Sequence, residues 1–427
     1  MAKPVYPSRA LERKRFPLYL QILLAIGLGL VVGPALGKQA SGLGELGKVV
    51  IQLIKAAATP LLFFGIVHAI LKTEIRGRAA LRLFSWATLN ATIAVVVGLV
   101  ISNTLQPGRS LLGFHPATAE QQAAYAAKKF DVVSTLTGFI PSNVVTPFAE
   151  NIVISVVLLA LLLGFGLRRA RGEQLTAGSQ AFRVIEDGVE TLLRVTEVVL
   201  GWVIRLIPFA VFGVIARAVG EHGYAPLRGL AVYLAVGVGG LALHVLVTYQ
   251  VWIVLFTRVP LRVFWREAKE PVLYAAGANS SLATLPVTLR ALDRLGVPRS
   301  ASTLGAMVGT NFNNDGIILY EGMAVLFVAQ ASGIHLTLGQ QLLAAGMCLV
   351  AAMGVAGIPE AGFISLALVL NTAHLPLEIL PLLLTVDWII ARGRSVTNVL
   401  SDMVLSMLIA RGAQASPPEP ALSEPAL

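Results

Sequence analysis

Six apolar runs follow one another through the first 257 residues, at about 16–37, 43–71, 80–105, 134–168, 183–218 and 227–257. Each is as long as the roughly 20 residues a helix needs to cross the hydrocarbon of a bilayer. Lipid offers backbone amides and carbonyls no partners, so such runs must close their hydrogen bonds internally, as helices. The composition agrees: hydrophobic residues make up 56% of the chain and charged residues 13%, with a mean hydropathy of +0.76. Soluble domains carry about a quarter charged residues. The expected class is an all-α polytopic membrane protein. A soluble enzyme is excluded, and so is a nucleic-acid binder, because the net charge of +10 sits in short loops between apolar runs.

The placement of those charges predicts topology. Lys3, Arg9, Arg13, Lys14 and Arg15 mark residues 1–15 as a cytoplasmic tail. Lys72, Arg76, Arg78 and Arg82, then Arg168, Arg169 and Arg171, then Arg258, Arg262, Arg266 and Lys269 fall on the same side if all six runs cross. The single cysteine, Cys348, allows no disulfide within the chain, and no metal-ligand cluster is visible. The Pro-rich stretch from Ser416 onward predicts a disordered tail over 412–427.

Beyond residue 258 the pattern changes. Residues 261–298 are interrupted by Gly277-Ala-Asn-Ser-Ser281 and Pro286, and 338–372 by Gly354-Val-Ala-Gly357-Ile-Pro359-Glu360-Ala-Gly362. Sidedness is kept if both dip in and return, as two re-entrant hairpins; the alternative is two full spans with packing glycines. Between them, 299–332 is broken at Asn311-Phe-Asn313-Asn314-Asp315-Gly316. Irregular backbone at membrane depth is tolerated where protein or a wet cavity satisfies it, and paired interruptions point to a transporter site.

The last apolar stretch, about 375–411, carries Asp387, Arg394, Asn398 and Asp402, spaced by 7, 4 and 4 residues. On a helix these share one face. Charges at membrane depth are costly and mark ion or substrate paths. Asn313, Asp315, Asn398 and Asp402 offer hard oxygen ligands suited to Na⁺, and Arg394 offers a fork that grips a carboxylate. A cation site beside an anion site is the minimum for cation-coupled uptake of an organic acid. The bland reading is that Arg394 pairs with Asp402 and Asn313 satisfies a kink.

These segments resemble the dicarboxylate/amino acid:cation symporters, the glutamate transporter family. Ser280-Ser281-Leu-Ala-Thr-Leu-Pro looks like the serine-rich tip of its first hairpin, Gly309-Thr-Asn-Phe-Asn313-Asn-Asp315-Gly like its Asn-Met-Asp-Gly-Thr signature, Gly354 to Gly362 like its second hairpin tip, and Asp387 to Asp402 like its substrate-binding final helix. The resemblance implies eight transmembrane helices plus two re-entrant hairpins, a homotrimer, and an elevator mechanism. Helices one to six, over 16–257, would form the scaffold, with the third and sixth joining a transport core over 258–411. It implies substrate contacts at Ser280, Ser281, Ile317, Gly357, Asp387, Ala391, Arg394, Ser395 and Asn398. One cation position would use Gly309, Asn313, Asn398 and Asp402. A second, deeper one would use Asn313 and Asp315 with the third helix, where Ala87, Asn90 and Ala91 stand for a Tyr-X-X-Thr-Ser cluster and only Asn90 keeps a side-chain oxygen. A third would use carbonyls near Ala352, Met353 and Val355. Glu321 matches the position of a proton-carrying glutamate.

The departures bear on substrate. The acid that receives an amino group in amino-acid carriers falls at Ala391, and Ser395 replaces a threonine. Ile317 replaces the signature threonine, Leu282 a serine, Asn314 a methionine and Glu360 a tip glycine. The expected function is therefore symport of an anionic organic solute, best fitted by a C4-dicarboxylate, with Na⁺ or H⁺ as coupling ion and no other cofactor. An amino-acid symporter of the same fold, an uncoupled anion channel and a non-transporting sensor are the alternatives; no nucleophile–base pair suggests an enzyme. The expected location is the inner membrane, with both termini cytoplasmic.

Overall fold

The computed structural model describes residues 17–72, 77–112, 137–352 and 361–414, and every regular element among them is helical. Five stretches of the described residues are long and apolar enough to cross a membrane: Leu18–Lys72, Leu81–Leu105, Val153–Thr176, Phe182–His222 and Ala225–Phe256. The first of these holds two helices, Leu18–Leu36 and Glu45–Lys72, joined by a 3-10 segment over Gly37–Gly44. Gly37, at φ 55°, ends the first helix, a backbone conformation that glycine adopts without steric cost.

Two expected spans need correction. Among the described residues of the fourth, expected over 134–168, the long helix begins at Val153 and runs on to Thr176. Residues 139–152 are turns around one short helix, Thr146–Ala149. Pro141 and Pro147 lie in that apolar stretch, where the missing amides disfavour a continuous helix. The fifth, expected over 183–218, divides at Arg205–Leu206 into Phe182–Ile204 and Ile207–His222, with Pro208 in the first turn of the second helix. The sixth runs from Ala225 to Phe256 through a π-helical turn at His244–Tyr249.

The first hairpin is a pair of packed helices, Leu261–Ala278 and Ser281–Arg294. Its tip is at Asn279, which takes a left-handed conformation; Pro286, expected to interrupt it, lies inside the second arm. Arg294 clamps the arms at the base, bonding Glu267 at 2.6 Å and Glu270 at 3.1 Å. The second hairpin pairs Leu338–Ala351, opened by a Thr337–Gln340 capping box, with Ala361–Thr372. Of the tip expected over 354–362, residues 354–360, with Val355, Gly357 and Glu360, lie outside the described residues, as does Met353, while its last two residues open the helix Ala361–Thr372. The tail residues 1–15 and 415–427 also lie outside the described residues, whereas 412–414, expected as disordered tail, continue the final helix. Between the hairpins, the helix Arg299–Ser302 passes through a π turn, Thr303–Val308, and a 3-10 turn, Gly309–Asn311, before helix Asp315–Ala331 begins. The final helix is Leu380–Gln414.

Small residues set the packing. Helix Leu18–Leu36 lies on Ile207–His222, and a methyl group on Gly33 would stand 2.5 Å from the carbonyl oxygen of Ala216. Gly29 and Gly33 form a small-xxx-small pair, which lets helix backbones approach where no hydrophobic drive exists between them. Gly98 plays the same part between helix Gly77–Leu105 and the carbonyl of Leu319.

The buried apolar residues fall into two cores. The final helix gives Leu380–Ile390 to the larger and Leu400–Ala410 to the smaller. The third-span helix crosses from Ala87 in the smaller to Ala91 in the larger, and the sixth from Leu241 in the larger to Val245 in the smaller. At each crossing stands a buried polar residue: Asn90, His244, Asn313 to Asp315, and Arg394 to Asn398. A polar layer thus separates the two cores.

Candidate functional site

Five charged side chains are buried among the described residues: Asp315, Glu321, Asp387, Arg394 and Asp402. Each needs specific partners to be tolerated. Arg394 finds its partner two turns away on the same helical face. Its Nη1 donates to Asp387 Oδ1 at 2.7 Å and its Nη2 to Asp387 Oδ2 at 3.0 Å. The seven-residue spacing read from the sequence therefore serves an intrahelical bidentate pair, and Arg394 is paired with Asp387 rather than with Asp402. Tyr320 lies against the guanidinium, its ring centre 4.1 Å from Cζ. On another side is Gly362, where a methyl group would stand 2.9 Å from Nε and 3.0 Å from Cζ. Ala391, on the same helical face, is buried and brings no acid.

Helix Asp315–Ala331 starts beside this pair. Its first-turn amide at Gly316, which has no partner within its own helix, donates to Asn398 Oδ1 at 2.8 Å. A methyl group at Gly316 would fall 2.6 Å from the Arg394 carbonyl oxygen, so the two backbones meet because the residue is glycine. Asn398 Nδ2 donates to Asn314 Oδ1 at 3.3 Å, and Asn314 Nδ2 to the carbonyl of Ala352 at 3.0 Å. Asn314, which replaces the signature methionine, thus links the final helix to the second hairpin. Ile317 is buried in the larger core.

Asp402 lies near the broken segment. Thr310 Oγ1 donates to its Oδ2 at 3.0 Å and Asn313 Nδ2 to its Oδ1 at 3.3 Å. Asn313 Oδ1 is buried with no hydrogen-bond partner. The carbonyl of Gly309 accepts the amides of Phe312 and Asn313, each at 2.7 Å. A carboxylate, an orphaned amide oxygen and nearby carbonyl oxygen are the hard donors that fit a hard cation. The first hairpin closes on the same place. Ser280 caps its second arm, accepting from the Ala283 amide at 3.1 Å; Ser281 accepts from Thr310 at 3.3 Å; Ser395 donates to Asn279 Oδ1 at 3.1 Å.

Asp315 is held differently. Its Oδ2 accepts from Asn90 Nδ2 at 2.5 Å, Ser401 Oγ at 2.6 Å and Tyr249 OH at 3.0 Å. His244 Nε2 stands 3.6 Å from the same oxygen. Glu321 sits apart, one oxygen accepting from Ser365 Oγ and the other, Oε2, without a hydrogen-bond partner.

Tyr249, His244, Trp252, Ser401, Thr310 and Tyr320 escaped the sequence reading, and Gly362 figured there only as the end of the second hairpin tip. Three of them lie in the sixth apolar run, where His244 and Tyr249 interrupt an otherwise lipid-compatible stretch; that polarity was the available signal.

The model of the sodium:dicarboxylate symporter family matches residues 18–412. A C4-dicarboxylate transport protein of Laribacter hongkongensis (strain HLHK9) is 32% identical over 92% of this chain and 89% of its own length. Proteins of the same description from Deinococcus radiodurans and Deinococcus deserti are each 32% identical over 93% of the chain, covering 89% and 90% of their own lengths. Over nearly its whole length, hairpins and polar layer included, the chain belongs to the sodium:dicarboxylate symporter family.

Proposed function

We propose that this protein is a secondary symporter that carries a C4-dicarboxylate with Na⁺ or H⁺. It would work as a homotrimer in the inner membrane, both termini cytoplasmic, by an elevator movement of residues 258–411 with the third and sixth spans. In this reading both hairpins are re-entrant and eight helices cross. The relatives' description as C4-dicarboxylate transport proteins supports the substrate class.

The observation that carries the reading is the Asp387–Arg394 pair beside Ala391. A guanidinium presents five N–H donors in a planar fork that suits carboxylates, and Asp387 together with the Tyr320 ring fixes its direction. An amino acid would bring an ammonium group as well, and Ala391 offers it no counter-charge. Leaving such a charge unpaired in a buried site costs several kcal/mol. Ser395 and Asn398 supply small polar groups on the same helix, and Ser280 and Ser281 at the first hairpin tip would add two more.

Charge balance supports coupled uptake. The buried described residues hold four carboxyl groups against one guanidinium. A dianion adds two further negative charges to this layer, so it enters together with positive charge. Na⁺ would supply that charge at Asn313, Asn398, Asp402 and the Gly309 carbonyl, with the carbonyl of Ala352 on the second hairpin nearby. Glu321, through its unpartnered oxygen, offers a proton-carrying route.

The test is uptake into proteoliposomes of labelled succinate, malate, aspartate and alanine, each under an imposed Na⁺ or H⁺ gradient. Succinate or malate should accumulate against its gradient and outrun aspartate. Absence of gradient-driven uptake refutes the symporter, flux without coupling marks a channel, and aspartate ahead of succinate refutes the substrate class.

A further inference from the structure

The deeper cation position implied by the family should draw oxygen from the third-span helix, and the residues here do not fit it. Ala87 and Ala91 have no side-chain oxygen. Asn90 has one, but Trp252 Nε1 donates to it at 2.9 Å. An indole nitrogen can only donate, so this contact fixes which end of the Asn90 amide is oxygen, a distinction that otherwise rests on the hydrogen-bond network. The opposite end, Nδ2, then donates to Asp315 Oδ2 at 2.5 Å and to Ser401 Oγ at 2.9 Å. Asn90 therefore turns hydrogens toward the carboxylate, where a cation site requires oxygens.

The rest of the cluster has the same polarity. Ser401, Tyr249 and Asn90 donate to one oxygen of Asp315, which leaves that oxygen saturated. Among side-chain oxygens, two unpartnered ones remain nearby, Asp315 Oδ1 and Asn313 Oδ1, and the second already belongs to the Asp402 set. Hard cations of this kind gather about six or more oxygens. Trp252 is itself held by an edge contact to Trp86 and a tilted contact to Phe256, each with ring centres 5.3 Å apart, so the donor that turns Asn90 is fixed.

We infer that Asn90, Trp252, Tyr249 and Ser401 form a hydrogen-bond lock on Asp315 that takes the place of one of the three coupling-cation positions, so that the protein binds and couples at most two Na⁺. The inference rests on the symporter reading for its transport consequence, but the number of bound ions stands without it.

Two measurements test it. Equilibrium binding of radioactive Na⁺ to the purified full-length protein with succinate present should saturate at two ions per chain or fewer; three bound ions overturn the inference. In proteoliposomes with the voltage clamped at zero and a tenfold Na⁺ gradient, each coupled ion multiplies succinate accumulation about tenfold, so native accumulation should stop at about 100-fold or below. A level near 1,000-fold overturns the inference, whereas no accumulation under any gradient refutes the symporter reading and leaves the binding count to decide. The double substitution Trp252→Phe with Ala91→Ser removes the indole donor, keeps the ring packing and restores a hydroxyl. It should bind one more Na⁺ than the native chain, and a folded double variant with an unchanged count overturns the lock.

Discussion

Gly362→Ala tests the geometry of the anion site most directly. The added methyl group would sit 2.9 Å from Arg394 Nε, 3.0 Å from Cζ and 3.2 Å from Cδ, where ordinary contact begins at 3.4 Å. A side chain in an open position would swing aside. Arg394 is held, because two hydrogen bonds of 2.7 and 3.0 Å tie it to Asp387 and the Tyr320 ring lies 4.1 Å from Cζ. The methyl must therefore either displace the guanidinium by about half an ångström or strain the second hairpin, and overpacking of this kind costs about 1–3 kcal/mol. If that cost falls on substrate binding, each 1.4 kcal/mol is about tenfold, and the KM for succinate should rise by about 5- to 150-fold. Gly346→Ala on the other arm of the hairpin is the control, since a methyl there meets nothing within 4 Å. Initial-rate uptake for both variants, with thermal unfolding to check folding, gives the answer. A folded Gly362→Ala protein with native KM would refute the placement of the substrate at Arg394.

Ala391→Asp adds a carboxylate on the face of Arg394 and should shift competition uptake from succinate toward aspartate. Asp387→Ala leaves a buried guanidinium without its bidentate partner and should lower stability by about 3–5 kcal/mol, read by thermal unfolding in detergent. Glu321→Gln should abolish accumulation driven by a proton gradient while succinate exchange across the membrane persists, measured in the same vesicles. Tyr19→Leu removes a ring that stacks on Trp388 and lies 5.3 Å from Arg392, a tie from the first helix to the final one; losing about 0.5–2 kcal/mol should change succinate turnover with KM unaltered, and an unchanged turnover number counts against that tie as a hold on movement.

The residues that were legible were those whose signal is local. Charge in a lipid-compatible run exposed Asp387, Arg394, Asn398 and Asp402, and glycine and asparagine at Gly309 to Gly316 exposed the break. Helical spacing placed Asp387 on the face of Arg394, but it could not choose the partner of Arg394, because Asp402 shares that face. The choice depends on what else claims each carboxylate, and Thr310 and Asn313, 92 and 89 residues away in sequence, claim Asp402. The fourth span was misjudged for the converse reason: apolar composition over 139–152 is a statement about environment, and the prolines decide backbone shape. Asn90 shows the limit most clearly. As a residue type it offers both an oxygen and two hydrogens, and only Trp252, 162 residues further on, determines which it presents.

The two-core arrangement gives this dependence a physical cause. Each of the four segments that cross from one core to the other carries its polar residue at the crossing, three of them within a helical stretch and Asn313 to Asp315 at the start of helix Asp315–Ala331, and all of these groups are buried from solvent. Arg394 finds its partner, Asp387, on its own helix, but most of the layer is satisfied between segments: Asn398 serves the Gly316 amide, Asn314 serves Ala352, and Ser401 lies between Asn90, Asn313 and Asp315. Removing one member strands others in a region of low polarity, where each unmade hydrogen bond costs about 1–3 kcal/mol. A solute or ion that enters this layer therefore has to replace bonds already made there, and its charge and donor pattern must match those of the groups it displaces. On this view, selectivity for dicarboxylate over amino acid belongs to the completed network, with Ala391 as the position where the network has no bond to offer an ammonium group.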